Sequence, residues 1–461
     1  MDYDTYLSPY SWRYASPDMR AIWSEKNKRL LWRQLWVALA ATQAEFGLVT
    51  PEQLTDLEKN MAAVNVDRAL EIEAEIHHDL MAELKTFAEQ ALLGGRILHL
   101  GATSMDIEDN ADVLRSRQAL LIILVKLKSL LGIFAQKIDA WAKLPIMAFT
   151  HLQPAEPSTL GYRLSLYAQD LLMDLETLSQ IYAGLRGKGF RGAVGTGAAY
   201  AELVGEENLS QFEEKLSQRL DLPFFSVVSQ VYPRKQDYQL VCALAGLGSS
   251  LYKFAFDLRI LQSPPIGELS EPFGKKQVGS SAMPFKRNPI QAEKIDSLSR
   301  ALAQLPRIAW DNAAHTLLER TLDDSANRRS SIPEAFLICD ELLNVASRIM
   351  QGLDVHLQAI QRNLQHYGPF AAVERVLMAL GKAGADRQEM HERLREHALT
   401  AWAAIQDGQA NPLLDLIAQD AEIIGYLPLE QVQALMDASQ HIGDAAQRAR
   451  NLAQHIRSTL L

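Results

Sequence analysis

Apolar residues step by four and then three along several long stretches, the spacing that keeps one stripe of a helix against a partner. Leu120, Leu124, Leu127, Leu131, Phe134, Ile138 and Trp141 form one stripe. A second runs through Leu164, Ala168, Leu171, Leu175, Leu178, Tyr182 and Leu185, and a third through Leu240, Leu244, Leu247, Leu251, Phe254, Leu258 and Leu261. Residues 335 to 349 repeat the pattern through Ala335, Cys339, Leu342, Ala346 and Ile349, while 290 to 305 read as a shorter apolar helix interrupted by Pro306. The spacing predicts at least four helices sharing one bundle, and no stretch reads convincingly as strand. The fold class is therefore all-α. Apolar residues off the stripes, Leu121, Ile122, Val125 and Leu130, predict helices covered on more than one side, as inside an oligomeric bundle.

Punctuation divides the pattern. No proline occurs between Pro51 and Pro145, and Pro or Gly clusters fall at 154–161, 187–197, 263–289 and 306. Loops, and with them chemistry, belong at such clusters. Three regions follow: an N-terminal helical domain over 1–104, a central long-helix bundle over 105–355 with a loop at 275–289, and a C-terminal helical domain over 356–461.

Composition narrows the function. With 46 Lys+Arg against 56 Asp+Glu, the net charge of -10 argues against nucleic acid or an anionic membrane as partner. An anionic ligand must then meet a local basic pocket. The two cysteines, Cys242 and Cys339, have no C-x-x-C spacing, so neither a disulfide framework nor a thiolate metal site is expected. The N-terminal MDYDTYLSPYSWRY lacks a secretory pattern, and no unbroken apolar run approaches the roughly 20 residues that cross a bilayer. A cytoplasmic protein is the expectation.

Two motif matches fail on context. Gly187 to Gly192 fits G-x-G-x-x-G but follows a helix and lacks a βαβ unit, so a flexible connection is expected there rather than a dinucleotide site. His391-Glu392 opens like H-E-x-x-H, yet the next histidine is His397, which faces elsewhere on a helix. No metal site follows.

The residues of 279–289, GSSAMPFKRNP, are unusual for a structural loop. Backbone amides, Lys286 and Asn288 can hold a carboxylate there and stabilise the charge that builds when its neighbouring carbon loses a proton, with Ser280 within reach of that proton. In order, the segment resembles the S-S-x-M-P-x-K-x-N loop of the fumarase and aspartase superfamily, whose members release fumarate from succinyl-type substrates. The resemblance implies an all-α, three-domain fold whose long central helices assemble a homotetramer with active sites shared between subunits. It also implies Ser280 as the base, in its alkoxide form, with Lys286 and Asn288 on the carboxylate. No metal or organic cofactor is implied.

Other segments resemble the adenylosuccinate lyase family within that superfamily. FTHLQPA (149–155) looks like its T-H-x-Q-P-A, which makes His151 the acid on the departing nitrogen and Thr150 a substrate contact. Glu293, thirteen positions after Ser280, matches the glutamate that orients this histidine. HHDLMAE (77–83) points to His78 and Asp79 as substrate-binding groups, and GATSMDIEDN (101–110) to Thr103 and Ser104 on the succinyl carboxylate. Arg13 and Tyr14 in WRYASPDM, with Arg320, Ser325 and Arg329 in ERTLDDSANRR, resemble phosphate-binding positions, a task that suits guanidinium forks. Gln230, before VYPRK, matches a glutamine that touches substrate. Lys294 stands where some relatives carry arginine and is not counted in the site. The activity implied is elimination of fumarate from adenylosuccinate to give AMP, and from the succinyl-carboxamide imidazole ribotide to give the free carboxamide.

Overall fold

A computed structural model describes residues 4–460. The chain divides into two compact units. One runs to Leu127 and adds Asp174–Ser249 and Ser297–Asn344; the other comprises Lys128–Met173, Ser250–Asp296 and the chain from Val345 onward.

The stripes form where the spacing predicts. Helices span Ser104–Ala140, Leu160–Gly184, Lys235–Gln262 and Asp323–Gln351. Every stripe residue on the third and fourth is buried, as are all on the first two except Trp141 and Tyr182. Trp141 lies just past the end of its helix, so the repeat overshoots by one residue. In the first unit, the Cys339 thiol meets the Leu244 carbonyl, and Leu302 and Leu342 close on Gly248. In the second, Phe254 packs edge-on against Phe134 and Tyr167 at centroid distances of 5.6 and 5.5 Å. Off the stripes the outcome is divided: Leu130 is fully buried, whereas Leu121 and Val125 are 50% and 59% exposed.

Three local expectations are corrected. Pro306 does not interrupt a helix to 305: Ile290–Leu302 ends first, and Pro306 opens the next helix, Leu305–Ala314, in the first turn, where its missing N–H costs nothing. Strands are present as well. Pro145–Thr150 and Gln153–Thr159 form an antiparallel hairpin, and Leu269–Ser270 pairs with Asp354–Val355. The hairpin is hidden in sequence by its three prolines and by a two-residue turn, His151-Leu152, that lacks the Asn-Gly signal. The segment from Gly187 to Gly192 is not a flexible connection either. Lys188 is fully buried in an ion pair with Asp106, whose carboxylate also accepts the amides of Arg191 and Gly192.

Apolar runs alone understate two helices. Ser104–Ala140 and Lys235–Gln262 are long and apolar enough to cross a membrane, with 18-residue windows of mean hydropathy 1.9 and 1.2, of which 50% and 44% are buried within the chain. Lys126 lies on the first of these helices and pairs with buried Asp340.

The first unit's main core gathers Leu31, Leu35, Trp36 and Leu39 of the Glu25–Glu45 helix against Leu80, Phe87, Ile107 and Phe212. The second has its own core of Val376, Leu380, Leu394, Ile417 and Val432 in the helices that follow residue 357.

Candidate active site

In the first unit the sequence folds four of its singled-out residues, Asp79, Arg320, Ser325 and Arg329, onto one cleft. His78 caps the Asp79–Gln90 helix, its Nδ1 accepting the Met81 amide, which leaves Asp79 in the first turn facing the cleft. Ser325 and Arg329 lie four residues apart on the first turns of Asp323–Gln351 and so share one face. Arg320 enters from the preceding loop. Arg329 Nη2 donates to Asp79 Oδ2 at 2.7 Å, and Arg320 Nη1 donates to Asp324 Oδ1 at 2.7 Å. Burial raises the Asp79 carboxyl, but the Arg329 guanidinium outweighs it and holds the group below the usual range.

Thr103 and Ser104 open the Ser104–Ala140 helix. The turn is set by Asp106, whose carboxylate reaches back to the Thr103 amide at 3.0 Å, half of a capping box. Ser104 Oγ then lies 3.4 Å from His78 Nε2, so two predicted substrate contacts touch each other. Gln230 is tied through its amide to the Glu319 carbonyl at 3.2 Å, beside Arg320. Arg13 and Tyr14 are not among the cleft-lining residues: the Arg13 guanidinium lies 5.6 Å from the Trp12 ring, and Tyr14 packs on Tyr10.

The second unit carries the proton-transfer candidates. His151 and Leu152 are the tip of the hairpin, both exposed and both left-handed, with φ of 53° and 60°. Thr150 is the last residue of the first strand, paired with Gln153. Histidine tolerates this region; leucine does so at a cost of about 1–2 kcal/mol. Strain of this kind persists where a tip must be presented in one shape.

The 275–289 loop is irregular and largely exposed, including Val278, Met283 and Phe285. Ser280 Oγ accepts the Met283 amide at 3.1 Å, and Asn288 Nδ2 donates to the Gly279 carbonyl at 3.2 Å. Gly279 is required there, because a Cβ would fall 2.1 Å from the Lys286 carbonyl oxygen. The Lys286 side chain extends from the exposed part of the same turn. Glu293 stands in the first turn of Ile290–Leu302, 3.9 Å from Arg259.

Several residues that matter to these arrangements carry no local sequence signal. Glu271 accepts the Gln291 and Ala292 amides with its carboxylate, fixing the start of the helix that bears Glu293, and burial pushes that carboxyl up despite these donors. Gln262 holds the loop's far end through the Arg287 carbonyl. In the cleft of the first unit, Glu108 adds a carboxyl that burial and the neighbouring Asp79 push up to about 8. Asp324 links Arg320 to buried Arg234.

Known proteins decide the family. The lyase family profile matches residues 12–302, and a profile of the adenylosuccinate lyase C-terminus matches 369–452. Adenylosuccinate lyase of Schistosoma mansoni is 39% identical over 457 residues, covering 97% of this chain and 94% of its own. The chain belongs to the adenylosuccinate lyase family. The Saccharomyces cerevisiae member is 36% identical over 98% of this chain and 95% of its own. The family's fold recurs in a 3-carboxy-cis,cis-muconate lactonizing enzyme from Pseudomonas putida, with a TM-score of 0.85 at 24% identity over 97% of this chain and 99% of that one. A fumarate lyase from Mesorhizobium sp. BNC1 matches with a TM-score of 0.84 at 24% identity over 98% and 99%. These two likenesses speak to the all-α fumarase and aspartase architecture alone.

Proposed function

We propose that the protein eliminates fumarate from adenylosuccinate to give AMP, and from succinyl-carboxamide imidazole ribotide to give the free carboxamide, two steps of purine nucleotide synthesis. The observation that carries this reading is the cleft in which Arg320, Ser325 and Arg329 converge in a chain of this family. A lyase acting on a substrate without phosphate has no use for that set. Phosphate would be held by the guanidinium forks and the hydroxyl, with Arg13 and Tyr14 joining from the N-terminal segment.

In this mechanism Ser280, as an alkoxide, takes the proton from the succinyl carbon. The C–H pair becomes the new C=C bond, the C–N bond breaks, and its electrons pass to nitrogen, which takes a proton from His151. Lys286 and Asn288, with Thr103 and Ser104, hold the carboxylate and stabilise the charge that gathers on it in the carbanion. Glu293 orients His151, and His78, Asp79, Thr150 and Gln230 position the rest of the substrate. One proton moves from carbon to nitrogen, and the balance needs no cofactor.

The enzyme acts as a homotetramer with shared sites and in the cytoplasm. Exposed apolar residues on three long helices support the assembly: Leu121 and Val125, Leu166 and Met173, and Phe256. The strained, exposed hairpin tip at His151 supports a residue offered to another subunit. Two free cysteines suit a reducing compartment.

Purified protein should change the ultraviolet absorbance of adenylosuccinate, and Ser280→Ala should not. Light scattering should give a tetramer; a fully active monomer would exclude shared sites.

A further inference from the structure

Acids surround the cleft of the first unit, and all but one are neutralised. Asp79 pairs with Arg329 at 2.7 Å, and Asp112 with Arg115 at 2.6 Å and Arg328 at 3.3 Å. Asp109 pairs with Arg234 at 3.0 Å, and Asp324 with Arg234 at 2.6 Å and Arg320 at 2.7 Å. Glu108 lines the same cleft, yet among the described residues its carboxyl has no hydrogen-bond or ion-pair partner, and Arg329 acts on it only through its charge at a distance. It stands four residues after Ser104, one turn along the same helix face, and shares the cleft with Ser325 and Arg329.

An ionised carboxylate there would repel a phosphate. A neutral one carries the donor that a phosphate oxygen accepts in a short, charge-assisted bond. We propose that Glu108 is a substrate-binding residue that works as a neutral carboxylic acid, donating its proton to the nucleotide's phosphate, so that nucleotide binding takes up a proton. The inference rests on the reading of this cleft as the phosphate site.

The surroundings favour the neutral form. Asp79 faces Glu108 from the Asp79–Gln90 helix, and Asp109 and Asp112 flank it on its own helix. Against them stand Arg329 of Asp323–Gln351, with Lys28 of Glu25–Glu45, Arg115 and Arg320 also on the cleft wall. Burial and the three acids prevail, which puts the titration near 8. A bound phosphate dianion adds negative charge and raises it further. The phosphate's own second ionisation, at about 6, lies below this window.

The test is calorimetric titration of the intact enzyme with AMP at pH 8.5, in two phosphate-free buffers of different ionisation enthalpy. Uptake of several tenths of a proton per site is expected, with none in Glu108→Gln, whose amide keeps a donor but cannot titrate. Above pH 8 the wild-type Kd for AMP should rise toward tenfold per pH unit and stay level in Glu108→Gln. No proton uptake by the wild type, or the same uptake in Glu108→Gln, overturns the role of Glu108. AMP binding that Arg329→Ala leaves undiminished overturns the phosphate reading itself, and the inference with it.

Discussion

Arg329 and Asp79 meet across 250 positions of sequence, Nη2 to Oδ2 at 2.7 Å, and so join the starts of two helices at the wall of one cleft. The guanidinium keeps donors beyond those given to Asp79, and these are what a phosphate would take. A charge-assisted bond of this kind contributes about 1.5–3 kcal/mol. Arg329→Ala should therefore raise KM for adenylosuccinate by roughly 10- to 150-fold, since about 1.4 kcal/mol corresponds to a factor of ten. Its kcat should fall much less. Steady-state kinetics separates the two, and an unchanged KM removes Arg329 from the phosphate site.

Gly279 bears on the loop more directly than any of its polar neighbours. Added at Gly279, a Cβ would lie 2.1 Å from the Lys286 carbonyl oxygen, a backbone atom that cannot swing away. Gly279→Ala should open the turn that presents Ser280, lowering kcat at least a hundredfold. The unfolding midpoint should stay close to wild type because the loop is exposed. Ser280→Ala should lose turnover while AMP affinity holds. Binding lost together with turnover in Ser280→Ala would point to a structural part for the hydroxyl.

The helices were legible because burial repeats with the helix period: Leu240 to Leu261 is buried at every step. The 275–289 loop was legible as chemistry because its residue types come in a specific order. The hairpin was not, since its left-handed turn is built from His151 and Leu152 and not from the Asn-Gly or Asp-Gly pair that marks such turns. Glu271 was invisible for another reason. It caps a helix 20 residues away, and only the fold brings a distant carboxylate to those amides. Glu108 reads in sequence as one more helical acid, and what sets it apart is the pairing of all its neighbours.

Leu152 offers a test of stored strain. Its φ of 60° costs a branched side chain about 1–2 kcal/mol, and glycine removes that cost while losing about 0.5–1 kcal/mol to its freer unfolded chain. Leu152→Gly should leave the stability unchanged or raised by up to about 1.5 kcal/mol. The tip then holds His151 less firmly, and kcat should fall. Denaturant melts and turnover should thus move in opposite senses; a variant clearly less stable than wild type would mean that Leu152 is held by packing rather than strained.

Asp324 anchors the cationic wall from behind. It is 2% exposed and takes Arg320 at 2.7 Å and Arg234 at 2.6 Å, while Arg234 continues to the fully buried Asp109. In Asp324→Asn the buried Arg234 keeps Asp109 but loses its second carboxylate, so the cost should fall below the roughly 3–5 kcal/mol of a buried charge left with no partner. Arg320 also loses its tether, so KM should rise with the loss of stability. The pH dependence has a definite sign. Burial raises the Asp324 carboxyl, but Arg234 and Arg320 outweigh it and hold it below the ordinary aspartate value. Its contribution is therefore present above that value and lost as the pH falls through the lowered one. The stability gap between wild type and Asp324→Asn should be wide at pH 7 and narrow toward pH 3, read from denaturant midpoints. A gap that widens on acidification would show that the Asp324 carboxylate is not what holds Arg320 and Arg234.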